Sequence, residues 1–141
     1  MDAKEAASLG EVARIQAEAR GDAIAFQFEG RATSFAEFDA NANRVANALL
    51  AEGLKKGARV CYLGKNSDHY YEALFGAAKA ALVMAPVNWR LAPPEIVYIV
   101  NDCRAEILLV GPEFIDLARK ITPELPSLRR LIIILLLLAI G

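Results

Sequence analysis

An alternation that begins at Ala58 restricts the fold more than any other feature. Four short apolar runs, Ala58–Leu63, Val83–Val87, Glu106–Val110 and Leu131–Ile140, are separated by three stretches of helical spacing. Strand and helix in strict succession place the strands parallel, joined by right-handed crossovers, with helices covering the sheet faces. A run such as Glu-Ile-Leu-Leu-Val lacks the polar alternation of a half-exposed strand and belongs inside such a sheet. The expected fold class is α/β: a partial doubly wound, mostly parallel sheet flanked by helices.

The centre of this region is Tyr70–Ile96. Along its first helix Tyr71, Leu74, Phe75, Ala78 and Leu82 form one stripe, and Ala73, Gly76, Ala77 and Ala80 form a face of small side chains. A mid-helix glycine costs about 1 kcal/mol relative to alanine, so close packing is the expected reason for Gly76, with the small face laid against the sheet. Pro86 puts the next strand at an edge or a strand terminus. Asn88–Leu91 is a polar elbow, and Pro93 follows near a first helical turn, where a missing N–H does no harm. Ile96, Ile99, Val100 and Cys103 then continue an apolar helical face. Gly111-Pro112 turns into a last helix with Phe114, Leu117, Ala118 and Ile121, ended by Pro123 and Pro126.

Upstream, Ser8 to Ala19 reads as a helix with Leu9, Val12, Ala13 and Ala17 on one side. Ala23–Phe28 is strand-like, and Glu29-Gly30 is a tight turn into Arg31–Thr33. Ser34 opens the clearest helix. With Glu37 three residues on, it makes a capping box, in which the hydroxyl takes one free backbone N–H and the carboxylate another. Phe38, Ala42, Val45, Ala46 and Leu49 share one face, and Gly53 ends the helix as a left-handed cap.

A length of 141 residues suits one domain, and the absence of a Ser/Gly linker gives no internal boundary. A net charge of −1 offers no electrostatic footprint for nucleic acid or an anionic membrane. Cys61 and Cys103 lie in apolar surroundings without paired spacing, which reads as buried free thiols in a reducing cytosol, with a disulfide left open. The N-terminus is not a secretory signal. Leu131–Ile140 is too short for a membrane span, which needs about 20 apolar residues. It reads better as a buried strand whose last residues are something else, and a chain stopping one residue later looks truncated.

Chemistry-bearing motifs are few. Gly64-Lys65-Asn66-Ser67 resembles the end of a phosphate loop, but the position where that loop needs its first glycine is Arg59. A strand-to-helix turn capped by Asn66 or Ser67 is the better reading. His69, beside Asp68, could act as base to Cys61 as nucleophile, although nothing local brings them together. A helix-surface histidine in an exposed first turn is favoured instead. No Cys, His, Asp or Glu cluster shows metal spacing, and the carboxylates look scattered. Asn88-Trp89-Arg90-Leu91 follows a strand and precedes a helix, where α/β sheets bind ligands. Arg90 there could grip a phosphate. Alternatively it braces the loop or pairs with Glu95, while Trp89 covers an apolar edge.

The stretch Thr33–Val110 resembles the N-terminal part of the adenylate-forming acyl-CoA synthetases, nearest to fatty-acid–CoA ligases. Thr33-Ser34-Phe35 with Glu37-Phe38, Gly57–Leu63 with Asn66-Ser67, and Ala77–Glu95 with Val87-Asn88-x-Arg90-Leu91 carry the resemblance. It implies residues 1–141 as a single N-terminal subdomain of a longer cytoplasmic enzyme. That enzyme uses ATP and Mg²⁺ to convert a carboxylate to an acyl-adenylate, then CoA to give a thioester. The family's phosphate loop ending in Pro-Lys-Gly, its threonine–glutamate pair, its ribose-binding aspartate and its C-terminal lysine do not occur here. The fragment is therefore expected to be inactive and to bind none of these cofactors. Arg90 is implied as a contact to a CoA phosphate, with no catalytic residue and no metal ligand. The apolar tail 131–141 is anomalous, because in the family a short strand gives way to polar residues.

Two other readings remain at this point. One is a stand-alone interaction or nucleotide-binding module on the same scaffold. The other makes the apolar run a membrane or partner-helix anchor. Self-association through an exposed strand edge or the tail is also expected.

Overall fold

The computed structural model describes residues 3–140. A four-stranded parallel sheet forms from β3 (Arg59–Leu63), β4 (Val83–Val87), β5 (Ile107–Val110) and β6 (Arg130–Ile133), in the order β4-β3-β5-β6. The chain therefore steps from β3 outward to β4, then crosses back over β3 to β5. A two-stranded antiparallel hairpin, β1 (Ile24–Phe28) and β2 (Arg31–Ser34), stands apart from this sheet. Its turn places Glu29 at φ 46° and Gly30 at φ 79°, two positive values that match the twist of a tight hairpin.

Helices cover both faces. α1 (Leu9–Arg20), α2 (Phe35–Ala51) and α3 (Asp68–Lys79) lie on one side, joined by α6 (Ile134–Ile140). α4 (Pro93–Asp102) and α5 (Ile115–Ile121) lie on the other. The strands divide their side chains accordingly. Val60, Tyr62, Ile107 and Leu109 enter a core with Val45, Leu49, Ala73 and Ala77. Cys61, Leu63, Leu108 and Val110 enter a second core with Ile96, Val100, Ala118 and Ile121. Both faces of β3 and β5 are buried, hence their continuous apolar sequences.

The expected caps form. Ser34 Oγ accepts from Glu37 N at 3.1 Å while Glu37 Oε2 accepts from Ser34 N at 2.8 Å. Ser8 and Ser67 cap α1 and α3, and Gly53 takes a left-handed φ of 78°. Glu95 Oε2 accepts from Ala92 N at 2.8 Å at the start of α4. Ala92 has no hydroxyl, so only the carboxylate half of a capping box exists there.

The apolar run Leu131–Ile140 divides as expected into a strand and something else: β6 ends at Ile133, and Ile134 starts a helix that lies against α2 and α3. Three expectations need correction. Leu9 is exposed rather than on the buried side of α1. α3 ends at Lys79, so Leu82 belongs to the turn that follows. The large stripe of α3 meets the hairpin and α2: Tyr71 lies 5.4 Å from Phe26 and Phe75 lies 4.9 Å from Phe38, ring centre to ring centre. Gly76 also has its tightest approach to α2, against Val45, while Ala73 and Ala77 share the core with the sheet. Pro86 fits the expectation, since β4 is an edge of the described sheet.

Candidate functional site

In an open α/β sheet, ligands bind outside the carboxyl ends of the strands where the order reverses. Here that point lies between β3 and β5. The two loops leaving it touch closely: Gly111 N donates to Leu63 O at 2.9 Å. A β-carbon on Gly111 would lie 3.3 Å from Gly64 Cα. Two cavities open at this end of the sheet, of about 570 Å³ and about 420 Å³. Tyr62, Lys65 and Asn66 line both.

The larger cavity is walled by the elbow. Asn88 Oδ1 accepts from Arg90 N at 3.0 Å, and Asn88 O accepts from Leu91 N at 3.1 Å. These bonds shape a tight turn that presents residues 89 and 90. The Arg90 guanidinium stacks 4.5 Å from the centre of the Trp89 ring, and Lys65 Nζ lies 5.2 Å from the same ring. Trp89 in turn packs against Phe114 at 5.7 Å, so it does cover the apolar edge. Arg90 does not pair with Glu95, whose carboxylate is spent on its own helix. Among the described residues no carboxylate pairs with Arg90. Lys65 differs: its Nζ lies 2.8 Å from Glu113 Oε2, an exposed pair worth at most about 1 kcal/mol. The elbow thus offers one exposed guanidinium with open donors and an aromatic platform, a geometry that suits a phosphate or a carboxylate.

Gly64–Ser67 is a turn ending in a serine cap: Ser67 Oγ accepts from Tyr70 N at 3.3 Å. It shows no phosphate cradle. The His69–Cys61 dyad does not exist. Cys61 points into the second core towards Cys103, while His69 Nδ1 bonds Glu72 Oε2 at 2.9 Å.

The scattered carboxylates are where the sequence reading fails. Asp68 and Glu72, four residues apart on α3, are 3% and 1% exposed. With His69 they place ligand atoms within 4.8 Å of one another, a trio of the type that holds metal ions. Yet every arm is occupied. Arg31 from β2 grips Asp68 at 2.8 and 3.2 Å, Asn41 of α2 donates to Glu72 Oε1 at 3.0 Å, and His69 takes the other oxygen. Glu72 holds the His69 pKa above its ordinary value, despite partial burial, with Asp68 adding to the effect. Burial pushes the Asp68 pKa up, but hydrogen bonding to Arg31 and the charge of His69 outweigh it and hold it low. The Arg31 guanidinium therefore already supplies the counter-charge that a cation would bring, and Glu72 favours the charged form of His69. The cluster is a buried ionic tie between the hairpin, α2 and α3. The i, i+4 spacing of Asp68 and Glu72 was the available signal, although Arg31 and Asn41 had none.

Comparison with known proteins agrees with this architecture. Residues 13–138 match the family described as AMP-binding enzyme. The chain is 45% identical over 99 residues to the fatty acid–[acyl-carrier-protein] ligase ScoC of Streptomyces coeruleorubidus, covering 70% of this chain and 19% of that protein. It is 40% identical over 78 residues to the long-chain-fatty-acid–CoA ligase FadD13 of Mycobacterium tuberculosis, covering 55% and 16%. The solved N-terminal domain of FACL13 from Mycobacterium tuberculosis superimposes with a TM-score of 0.89 at 27% identity, covering 95% of this chain and 36% of that one. The chain spans about a fifth of the length of the curated relatives it matches.

Proposed function

The chain belongs to the AMP-binding enzyme family, and from that premise we propose that residues 1–141 form the N-terminal subdomain of an ATP-dependent carboxylate–CoA ligase. The observation that carries this reading is the match over residues 13–138 on a parallel α/β sheet. In the whole enzyme a carboxylate becomes an acyl-adenylate with release of pyrophosphate, and CoA then displaces AMP to give a thioester. Fatty acid is the favoured carboxylate, supported by the names of two relatives at 45% and 40% identity. The setting is cytoplasmic. No helix among the described residues is long and apolar enough to cross a membrane.

Within this chain the role is one of scaffold and binding. Arg90 meets a CoA phosphate with its open donors, and Trp89 orients the planar guanidinium through the stack. Neither moves a proton or forms a bond. CoA, when bound, supplies the thiol that accepts the acyl group. We place adenylation in parts of the enzyme beyond this subdomain, a reading supported by the share of about a fifth of the relatives' length that this chain spans. β6 is the other edge of the described sheet, and Leu135 and Leu136 beside it are exposed. The isolated chain therefore self-associates through that edge.

Carboxylate-dependent ATP–pyrophosphate exchange tests the reading. A longer product of the same gene should catalyse exchange with a fatty acid, whereas the 141-residue chain should not. Exchange by the short chain, or none by the longer one with any carboxylate, would overturn it.

A further inference from the structure

Cys61 and Cys103 are 42 positions apart in the sequence, yet their sulfurs lie 3.5 Å from each other. Both are free thiols. Cys61 sits in the middle of β3, fully buried, in register with Ala85 of β4 and Leu108 of β5. Cys103 is the C-cap of α4 and only half-buried. The backbone holds them together. Arg59, two residues before Cys61, donates from Nε to Cys103 O at 2.7 Å. A disulfide needs about 2.05 Å between sulfurs, so the pair must close by about 1.5 Å. Closure therefore requires a side-chain rotation or a small shift of the α4 terminus.

We propose that this pair is a modification site, forming a reversible intramolecular disulfide on exposure to a low-molecular-weight disulfide. The two sulfurs take unequal parts. Burial, reinforced by the neighbouring Cys103, raises the Cys61 pKa, so Cys61 stays a protonated thiol shielded from solvent. Cys103, at the rim, meets the oxidant. Its thiolate attacks one sulfur of the small disulfide, forming a mixed disulfide and expelling one small thiolate. The Cys61 sulfur then attacks Cys103 Sγ. The bond to the small molecule breaks, and the departing thiolate takes the Cys61 proton. The protein loses two protons and two electrons, and the oxidant is reduced to two thiols.

The new bond closes a loop containing α3, β4, the Arg90 elbow and α4. It ties the C-terminal end of α4, the helix that follows the elbow, to β3, and it restricts the unfolded chain.

The test uses the folded chain with excess oxidised glutathione at mildly alkaline pH. The product should be lighter by two hydrogens, and peptide mapping should join the segments bearing residues 61 and 103. Dithiothreitol should reverse the change. The thermal midpoint should rise by roughly 5 °C or more. Cys61→Ala should stop at a glutathione adduct on Cys103, and Cys103→Ser should leave Cys61 unmodified in the folded chain. Wild-type protein that keeps both thiols free, stops at the adduct, or links into dimers through Cys103 would overturn the proposal. If Cys61→Ala does not fold, modification of Cys61 in folded Cys103→Ser protein would overturn it equally.

Discussion

Gly76 of α3 and Val45 of α2 meet so closely that a β-carbon on residue 76 would lie 2.5 Å from Val45 Cγ1 and 2.9 Å from Ala42 O. Alanine there would gain about 1 kcal/mol in helix propensity. Separating two packed helices typically costs about 1–3 kcal/mol, and more where backbone is met. Gly76→Ala should therefore lower the urea midpoint with little change in slope. Adding Val45→Ala should recover part of the loss, and a purely additive pair of effects would refute the contact.

The ionic tie gives a pH dependence of definite sign. The His69 pKa is raised above its ordinary 6.5. Its contribution is therefore complete below that unfolded value and fades as pH rises through the folded one. Asp68 works in the opposite sense: its pKa lies below 3.8, so its contribution holds above that value and fades as pH falls through the folded one. The stability difference between wild type and His69→Gln should shrink as pH is raised above the ordinary histidine value of 6.5. A difference flat across that range in denaturant titrations would mean that His69 is not held as the imidazolium.

Arg31→Ala removes the charge facing Asp68, a carboxylate 3% exposed. Leaving a buried carboxylate without its main partner is destabilising, though less so here because Arg31 itself is half in water. The thermal midpoint should fall more for Arg31→Ala than for Arg14→Ala, whose partner Glu18 is exposed. Equal effects would show that the tie contributes nothing.

Arg90→Ala should leave the unfolding free energy within about 0.5 kcal/mol of wild type, because the side chain is exposed and unpaired with any carboxylate. In the longer ligase the same change should raise the KM for CoA while sparing carboxylate-dependent pyrophosphate exchange. Arg90→Lys should recover only part of the CoA affinity, since a lysine lacks the planar fork. An unchanged KM for CoA would remove Arg90 from the binding site.

Ile134 is 2% exposed at the start of α6, whereas Leu136 is 54% exposed. Ile134→Ala should cost about 2–4 kcal/mol and Leu136→Ala less than about 1 kcal/mol. Equal costs in denaturant unfolding would contradict the strand-to-helix change within the apolar run.

Much of the fold was legible in the sequence because the signals are local. Ser34 with Glu37, Ser67 before Asp68, Gly53 after α2 and Pro93 at the start of α4 each act within one turn of backbone. The apolar alternation from Ala58 onward likewise placed three crossovers. The terminal run was less legible. A stretch made of Leu, Ile and Ala carries no periodicity, and so no mark where β6 ends and α6 begins. The candidate site divided the same way. Asn88-Trp89-Arg90 was visible as a polar elbow, but the Arg90–Trp89 stack and the absence of a Glu95 pair depend on side-chain geometry that spacing does not encode.

The sequence by itself determined most of the strands and helices and their order, which follow from hydrogen bonding and hydrophobic periodicity within a few residues. The family resemblance rested instead on motifs such as Val87-Asn88-x-Arg90-Leu91. Only the tertiary structure decided who meets whom. It set β3 between β4 and β5, which opens the cavities beside Lys65 and Arg90, and it laid Gly76 against Val45. It also joined Arg31 to Asp68 across 37 positions and brought Cys61 to Cys103. Those contacts come from burying two faces of one sheet at once, a condition satisfied by the whole chain and written in no single stretch of it.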